Sequence, residues 1–114
     1  MTTIYHNPRC SKSRATLALI REKGIEPKVV LYLEDPPDID TLRSITEKLG
    51  CSAIDITRTG DQQYRDLNIA ERTITEDSTI GLLADFPALL ERPIVLHNNK
   101  AVVGRPPENV LTIL

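Results

Sequence analysis

The N-terminal third of the chain alternates between strand and helix patterns, and this order constrains the fold more than any other feature. Thr2 to Tyr5 form a short β-prone run that ends at turn residues. A helical pattern begins at Ser11, and Gly24 is its predicted C-terminal stop. Lys28 to Leu33 is a run typical of a buried strand. The segment therefore predicts a βαβ unit with two parallel strands and a right-handed crossover.

Helical patterns fill the middle of the chain. Asp38 is a predicted N-cap for a second helix that ends at Gly50. Short helical pieces are expected in Ser52–Ala70, around a break at Thr59-Gly60. A further helix is predicted from about Glu76 to Asp85.

The C-terminal segment predicts an antiparallel hairpin and a last helix. Ile94 to His97 and Ala101 to Val103 are the strands, and Asn98-Asn99 is the tight turn between them. Pro106 suits the first turn of the closing helix.

The predicted element order is βαβ, an inserted helical block over about residues 38–86, and ββα. This is the order of a thioredoxin-like α/β fold, whose two halves share one mixed four-stranded sheet. A chain of 114 residues fits one compact domain, so we predict a single domain over residues 1–114.

Composition and charge exclude several classes of function. A net charge of −2 provides no electrostatic footprint for nucleic acid or for an anionic membrane. No apolar run approaches the ~20 residues that span a bilayer, and the N-terminus lacks a signal-peptide pattern. Cys10 and Cys51 form neither a disulfide framework nor, with His6 and His97, a metal-ligand spacing. We therefore expect a cytoplasmic protein without a metal site or a tightly bound cofactor.

Cys10 is the strongest chemical signal in the sequence. It falls between the first strand and the first helix, so its sulfur should lie at the helix N-terminus. Unpaired N–H groups there lower a thiol pKa and can bind an oxyanion. Arg9, Lys12 and Arg14 add cations in the same turn, and His6 stands where its imidazole can face the sulfur. An inert core thiol is the alternative, but a polar turn rich in cations is a poor place for a hydrophobe.

The residues that follow Cys10 lack two known thiol motifs. Ser13 replaces the second cysteine of a C-x-x-C motif, and Thr16 replaces the arginine of a C-x5-R loop. No neighbouring thiol can resolve an oxidised or adducted sulfur. A redox reaction at Cys10 would therefore take its second sulfur from an external thiol.

Three arginines are candidate oxyanion ligands. Arg92 and Arg105 each precede a proline at the two ends of the predicted hairpin, and Arg58 lies in the helical block. In a thioredoxin-like fold the Arg92-Pro93 bond would be cis and would pass beside the first helix N-terminus. Guanidinium groups that converge there would offer bidentate contacts to an oxyanion. The alternative is that each arginine forms an ordinary surface ion pair.

The segment H-N-P-R-C-S-K-S-R, from His6 to Arg14, resembles the active site of ArsC-type arsenate reductases that depend on glutathione and glutaredoxin. The resemblance extends along almost the whole chain and is greatest to short family members that end just after the last helix. Its other motifs are Y-L-E-D-P-P at Tyr32–Pro37, the Arg58 region, E-R-P-I-V at Glu91–Val95 and G-R-P-P-E at Gly104–Glu108.

The resemblance implies a role for each site residue. Cys10 would attack arsenate, His6 and Ser13 would support its thiolate, and the family's three oxyanion-binding arginines would be Arg58, Arg92 and Arg105. Glutathione would be the co-substrate that adds to the arsenic adduct. Glutaredoxin would then remove it as a mixed disulfide, and arsenite would leave.

Two other functions remain open for this fold: a redox-sensing adaptor that binds RNA polymerase, and a monothiol glutaredoxin-like protein that holds an iron–sulfur cluster. The remaining polar signals have simple structural interpretations. We interpret Cys51 as a packed small side chain, His97 as a solvated strand-end residue and Glu34–Asp40 as a solvated turn that contains an N-cap. The alternatives are a resolving thiol at Cys51 and a docking site for a basic partner at Glu34–Asp40.

Overall fold

The computed structural model describes residues 1–67 and 74–114, and the chain divides into two compact units. The first unit joins Met1–Asp35 to Arg92–Leu114, and the second is Pro36–Glu91. The predicted insertion over about residues 38–86 falls within the second unit, while the single domain stays a prediction. The end of the predicted helical stretch, residues 68–70, lies outside the described residues.

The first unit contains the mixed four-stranded sheet that the sequence predicts. Its strands are β1 (Thr2–Tyr5), β2 (Lys28–Val30), β3 (Ile94–His97) and β4 (Lys100–Val103). The order across the sheet is β2-β1-β3-β4, with β1 parallel to β2 and antiparallel to β3. Asn98 has φ 56° in the tight turn between β3 and β4. These pairings confirm the α/β, thioredoxin-like fold class.

Strand β2 is shorter than predicted. The chain turns immediately after it, because the carbonyl oxygen of Leu31 accepts hydrogen bonds from the N–H groups of Glu34 and Asp35, each at 2.9 Å. The apolar residues up to Leu33 therefore leave the sheet, and Leu33 is 47% exposed. Whether an apolar run is buried in a sheet depends on tertiary contacts, and the sequence pattern alone does not show those contacts.

Helix α1 (Ser11–Glu22) connects β1 to β2 and packs on the sheet. The buried core of this unit consists of side chains from β1, α1, β3 and the C-terminal segment: Ile4, Leu17, Ile20, Val95 and Val110. The last predicted helix is a 3₁₀ helix, Pro107–Thr112. It brings Val110 into the same core as α1 and thereby closes the ββα half.

The described residues of the second unit form three α-helices and two 3₁₀ turns. They are α2 (Ile39–Leu49), the 3₁₀ helix Ala53–Ile56, α3 (Gln62–Asp66), α4 (Glu76–Asp85) and the 3₁₀ turn Pro87–Leu89. Asp38 caps α2 by accepting the Thr41 N–H at 2.8 Å, and Gly50 ends it in the left-handed conformation, both as predicted. Among the described residues, the helices lack the length and apolar character to cross a membrane.

Candidate active site

Cys10 is the N-cap residue of α1. Its backbone is extended, with φ −96° and ψ 122°, and its carbonyl oxygen accepts the Arg14 N–H at 3.0 Å. The Cys10 N–H donates to the carbonyl oxygen of Asn7 at 3.0 Å, which closes the turn after β1. The first turn of α1 contains no acidic residue. The sulfur therefore lies where unpaired helix N–H groups concentrate positive potential.

The pKa of Cys10 is lowered by this environment. Burial of the sulfur is the largest single influence and raises the pKa, because burial disfavours the thiolate. Hydrogen bonds from the backbone N–H groups of Ser13 and Lys12, with the hydrogen bond and charge of Arg92, act in the opposite direction. Together they outweigh burial, so the pKa of Cys10 lies below its ordinary value and a larger fraction is thiolate at neutral pH.

Two of the three predicted arginines meet at Cys10. Nη1 of Arg105 lies 3.9 Å from the Cys10 Sγ, and it also donates to the carbonyl oxygen of Arg92 at 3.3 Å. The side chain of Arg92 donates a hydrogen bond to Cys10. The bonds Arg92-Pro93 and Arg105-Pro106 are both cis, of which only the first was predicted.

The side chain of Arg92 has one buried hydrogen-bond donor that is not used in the described part of the chain. Its Nε is buried and has no acceptor among the described residues. Leaving a buried N–H without a partner costs free energy unless an acceptor arrives. An anion bound beside the Cys10 sulfur would supply that acceptor, and its negative charge would pair with the positive guanidinium group.

His6 and Ser13 form a hydrogen-bonded pair beneath the Cys10 turn. The His6 Nδ1 lies 2.6 Å from the Ser13 Oγ, and the N–H of Asn7 donates to the same oxygen at 3.0 Å. Both side chains are buried, at 6% and 0% exposure. The imidazole therefore contacts Ser13, and its support of the sulfur would pass through that hydroxyl.

The surroundings of His6 lower its pKa and so favour the neutral imidazole. Burial is the main cause of its lowered pKa, and the positive charges of Arg21 and Arg14 lower it further. A neutral imidazole provides no full positive charge for the Cys10 thiolate. The cation that favours the thiolate is thus the guanidinium of Arg92 rather than an imidazolium.

Arg58 lies in the second unit, two residues after the 3₁₀ helix Ala53–Ile56. Its Nη1 donates to the carbonyl oxygen of Ala88 at 3.2 Å and forms an ion pair with Asp61 at 3.1 Å. The Arg58 N–H donates to the carbonyl oxygen of Leu89 at 2.7 Å. Its role as a third oxyanion ligand stays a prediction.

The sequence analysis missed a contact behind the site, between Thr16 and Gly104. The buried Thr16 Oγ1 donates to the carbonyl oxygen of Lys12 at 2.8 Å and lies 3.4 Å from the carbonyl oxygen of Gly104. A Cβ at position 104 would lie 2.5 Å from Thr16 Oγ1 and 2.9 Å from Pro93 Cγ. The available signal was the glycine immediately before Arg105, since close backbone approach requires that residue.

The other polar residues have mainly structural surroundings. Cys51 is half-buried in the second unit, and burial, followed by the charges of Asp55 and Glu76, raises its pKa. His97 ends β3, as interpreted, but it is half-buried rather than solvated, and its Nδ1 lies 2.7 Å from the Thr2 Oγ1 of the neighbouring strand. Residues 1–67 and 74–114 contain no group of three His, Cys, Asp or Glu side chains arranged to hold a metal.

The shared sheet of βαβ and ββα halves, with a cysteine at the N-terminus of α1, defines a thioredoxin-like thiol protein. A sequence model of the ArsC family matches residues 5–113. The uncharacterized protein YfgD of Escherichia coli (strain K12) is 53% identical over 97% of this chain and 94% of its own length. An arsenate reductase of Neisseria meningitidis (strain MC58) is 51% identical over 97% of this chain and 96% of its own.

The structural comparison agrees with the sequence comparison. The arsenate reductase from Vibrio cholerae superposes with a TM-score of 0.95, at 43% identity over 99% of this chain and 97% of that protein. The chain belongs to the ArsC family.

Proposed function

We propose that this protein is an arsenate reductase, an oxidoreductase in which Cys10 forms a covalent adduct with arsenic and external thiols resolve it. The observation that carries the proposal is the thiol with a lowered pKa at the N-terminus of α1, within hydrogen-bonding range of Arg105 and Arg92. Relatives named arsenate reductase at 51% and 43% identity support the choice of arsenate among oxyanions.

Oxyanion binding is the first step of the proposed reaction. The N–H groups of the first turn of α1 and the guanidinium groups of Arg92 and Arg105 would hold the arsenate oxygens. The unpartnered Nε of Arg92 supplies one donor for which the protein itself has no acceptor. Arg58 enters the proposal on the family resemblance alone.

The second step forms the sulfur–arsenic bond. The Cys10 thiolate attacks arsenic(V), and one arsenate oxygen leaves as water after protonation. Ser13, hydrogen-bonded to neutral His6, would support the thiolate before the attack. The Cys10 thiolate and arsenate are both anions, and they must approach each other. The positive charge of the arginines near the reacting atoms reduces the repulsion between them.

Reduction requires a second sulfur from outside the chain. Position 13 is serine, and the second cysteine, Cys51, has a raised pKa. We propose that glutathione attacks the adduct, so that two sulfurs lose two electrons to arsenic and a Cys10–glutathione disulfide forms as arsenite leaves. Glutaredoxin would then take the glutathione and regenerate the Cys10 thiol. This chemistry suits a reducing cytoplasm and needs no tightly bound cofactor.

Steady-state arsenate reduction tests the proposal. Wild-type protein, with glutathione, glutaredoxin and an NADPH-coupled recycling system, should turn over, and Cys10→Ser should abolish turnover. The matched control is Cys51→Ser, which should keep wild-type activity. Absence of turnover in wild-type protein, or turnover that survives in Cys10→Ser, would contradict the proposal.

A further inference from the structure

The side chain of Asn109 contacts the backbone of the segment that carries Arg105. Its Nδ2 donates to the carbonyl oxygen of Arg105 at 3.2 Å and to that of Val103, the last residue of β4, at 3.4 Å. A side-chain amide has two N–H donors, so one asparagine can serve both carbonyl oxygens at once. Arg105 is also the residue whose guanidinium group lies beside the Cys10 sulfur. The amide of Asn109 therefore acts on the backbone from which that group extends.

Backbone hydrogen bonds complete the turn around Arg105. The Arg105 N–H donates to the carbonyl oxygen of Val103 at 2.9 Å, and the Asn109 N–H donates to the carbonyl oxygen of Pro106 at 3.0 Å. Asn109 thus contacts the chain on both sides of Arg105, through its side chain and through its backbone. Together these bonds fix the course of the chain where it leaves β4.

The 3₁₀ helix that contains Asn109 is itself anchored in the core. Asn109 lies within Pro107–Thr112 and is half-buried, and the next residue, Val110, is fully buried in the core that α1 shares. Cys10 is the N-cap residue of that same α1. The Asn109 amide therefore connects the turn of Arg105 to an element that packs against the helix of the nucleophile.

We propose that Asn109 is a positioning residue of the active site, which holds the Arg105 backbone so that the guanidinium group stays beside the Cys10 sulfur. Nη1 of Arg105 lies 3.9 Å from that sulfur and 3.3 Å from the carbonyl oxygen of Arg92. Both distances are at the long end of the hydrogen-bond range, so a small shift of the Arg105 backbone would break these contacts. The inference rests on the proposed function where it concerns arsenate, but the position of Arg105 can be measured without arsenate.

Alkylation of Cys10 by two reagents that differ in charge measures where the guanidinium group lies. Iodoacetate carries a carboxylate and iodoacetamide does not, and the Cys10 thiolate displaces iodide from both. In one protein at one pH the thiolate fraction is the same for both reagents, so the ratio of the two rate constants is independent of the Cys10 pKa. A cation beside the sulfur raises this ratio, because it attracts the carboxylate of iodoacetate. All proteins also carry Cys51→Ser, which leaves Cys10 as the one cysteine of the chain.

The ratio of the iodoacetate to the iodoacetamide rate constant should fall about threefold to tenfold in Arg105→Gln, which removes one charge at an exposed residue. Asn109→Leu keeps Arg105 but has no N–H donor in its side chain, and it should lower the ratio about twofold to fivefold. In Arg105→Gln protein, Asn109→Leu should have no further effect, because no guanidinium group remains to be positioned. An unchanged ratio in either single variant, or an equal effect of Asn109→Leu with and without Arg105, would overturn the inference.

Thr112→Val is the matched control. The Thr112 Oγ1 donates to the carbonyl oxygen of Asn109 at 2.7 Å, so this variant loses a side-chain hydrogen bond of the same 3₁₀ helix and keeps the Asn109 amide. It should retain the wild-type ratio of rate constants. A fall equal to that in Asn109→Leu would show that loosening of the helix, and not loss of the amide, displaces Arg105, and the inference would fail.

Arsenate kinetics then test the same role in the reaction. Because Arg105 is proposed to bind the oxyanion, Asn109→Leu should raise KM for arsenate about threefold to tenfold and change kcat less. A wild-type KM in Asn109→Leu would contradict the positioning role. Absence of arsenate reduction in wild-type protein would contradict the proposed function but would leave the alkylation ratios as they are, so the two proposals fail separately.

Discussion

At the scale of single residues, the chemistry depends on how one sulfur is surrounded by donors. Burial alone would keep Cys10 protonated, and the helix N–H groups with Arg92 reverse that preference. Arg105 adds a donor 3.9 Å from the sulfur. The same groups that favour a thiolate also suit an oxyanion, because both are compact negative charges in need of N–H donors.

The thiol of Cys10 should titrate below its ordinary pKa in Cys51→Ser protein. Arg92→Leu removes a hydrogen bond and a charge that lower the pKa, so its titration should move to higher pH. Alkylation by iodoacetamide, followed against pH, should therefore be slower in the variant at pH 7. The two rates should converge at a pH above both pKa values, where both thiols are ionised. An ordinary pKa in Cys51→Ser protein would contradict the activated nucleophile.

The arginines should act on arsenate through geometry as well as charge. Arg92→Lys and Arg105→Lys keep the charge but lose the planar fork, so each should lower kcat/KM for arsenate about tenfold to a hundredfold. Arg43→Lys is the control, since Arg43 forms an exposed ion pair with Asp77 and should retain full activity. Wild-type kcat/KM in both site variants would exclude these side chains as oxyanion ligands.

Buried His6 should make stability depend on pH. Its folded pKa is lowered below the unfolded value, so the unfolded chain binds more protons and the free energy of unfolding rises with pH. This contribution is complete above the unfolded pKa and is lost as pH falls below it. Urea unfolding at pH 7.5 and pH 5.5 should show a larger loss of stability in wild-type protein than in His6→Asn. An equal loss in both proteins would show that His6 does not cause this pH dependence of the free energy of unfolding.

The sequence locates Cys10 reliably because its position depends on a local order of strand, turn and helix. The arginines are different: Arg92 and Arg105 are distant in sequence, and each alone resembles a surface cation. The pairings of β1 with β3 and of β3 with β4 bring them to the Cys10 turn, and those pairings were predictable from the order of elements and the family motifs. Ser13 was named as a site residue with His6, but the hydrogen bond between the two side chains was not predicted, because a single sequence does not show which buried groups pair.

At the scale of elements, the site depends on how closely α1 approaches the end of β4. Thr16 of α1 contacts Gly104, the residue between β4 and Arg105, and the Gly104 N–H donates to the carbonyl oxygen of Pro93 at 2.9 Å. Arg92 directly precedes Pro93, and Arg105 directly follows Gly104, so both guanidinium groups of the site belong to residues next to this contact. The distance between α1 and this segment therefore governs where Arg92 and Arg105 meet Cys10.

Gly104→Ala should weaken both the packing and the site. The new methyl group would meet Thr16 and Pro93 well inside van der Waals distance, so the variant should lose about 1–3 kcal/mol of unfolding free energy. Its Cys10 pKa should rise as Arg92 moves away. Gly81→Ala in α4 is the control: its added Cβ meets nothing within 4 Å, and it should stabilise by about 1 kcal/mol through helix propensity.

Thr16→Ala tests whether contact with Thr16 causes the loss of stability and the change in Cys10 pKa in Gly104→Ala. It removes two of the three atoms that a Cβ at position 104 would meet, so it should recover part of the stability and of the Cys10 pKa in Gly104→Ala. Urea unfolding and alkylation of the four proteins form a double-mutant cycle, with an expected coupling of about 0.5–3 kcal/mol. Additive effects would show that the two positions act independently.

Element boundaries were predictable where a cap determines them. Asp38 and Gly50 mark the two ends of α2 in the sequence, and each makes the expected capping contact or conformation. The end of β2 has no such residue, and the strand was predicted too long because Leu31 and Leu33 continue its apolar pattern. The last helix is a 3₁₀ helix whose Val110 packs with side chains of α1, and helix propensity does not distinguish a 3₁₀ helix from an α-helix.

At the scale of the whole molecule, the first unit is built from both ends of the chain. Met1–Asp35 and Arg92–Leu114 must come together before β1 can pair with β3 and before Arg105 can reach Cys10. The intervening Pro36–Glu91 has its own buried core, which includes Leu42, Ile45 and Leu83. An ordered insert fixes the separation of its ends, whereas a disordered one adds loop-closure entropy to the folding of the first unit.

The two units should therefore lose stability together, as the predicted single domain requires. Leu83 is 1% exposed in the second unit, and Leu83→Ala should cost about 2–5 kcal/mol. Native-state hydrogen exchange should show faster exchange of the slowest N–H groups in β1 and β3 as well as in α2 and α4. Leu111→Ala is the control, because Leu111 is 41% exposed and its truncation should change exchange little in either unit. Acceleration confined to α2 and α4 would mean that the sheet and its thiol site remain folded without the helical unit, and that the single-domain prediction is wrong.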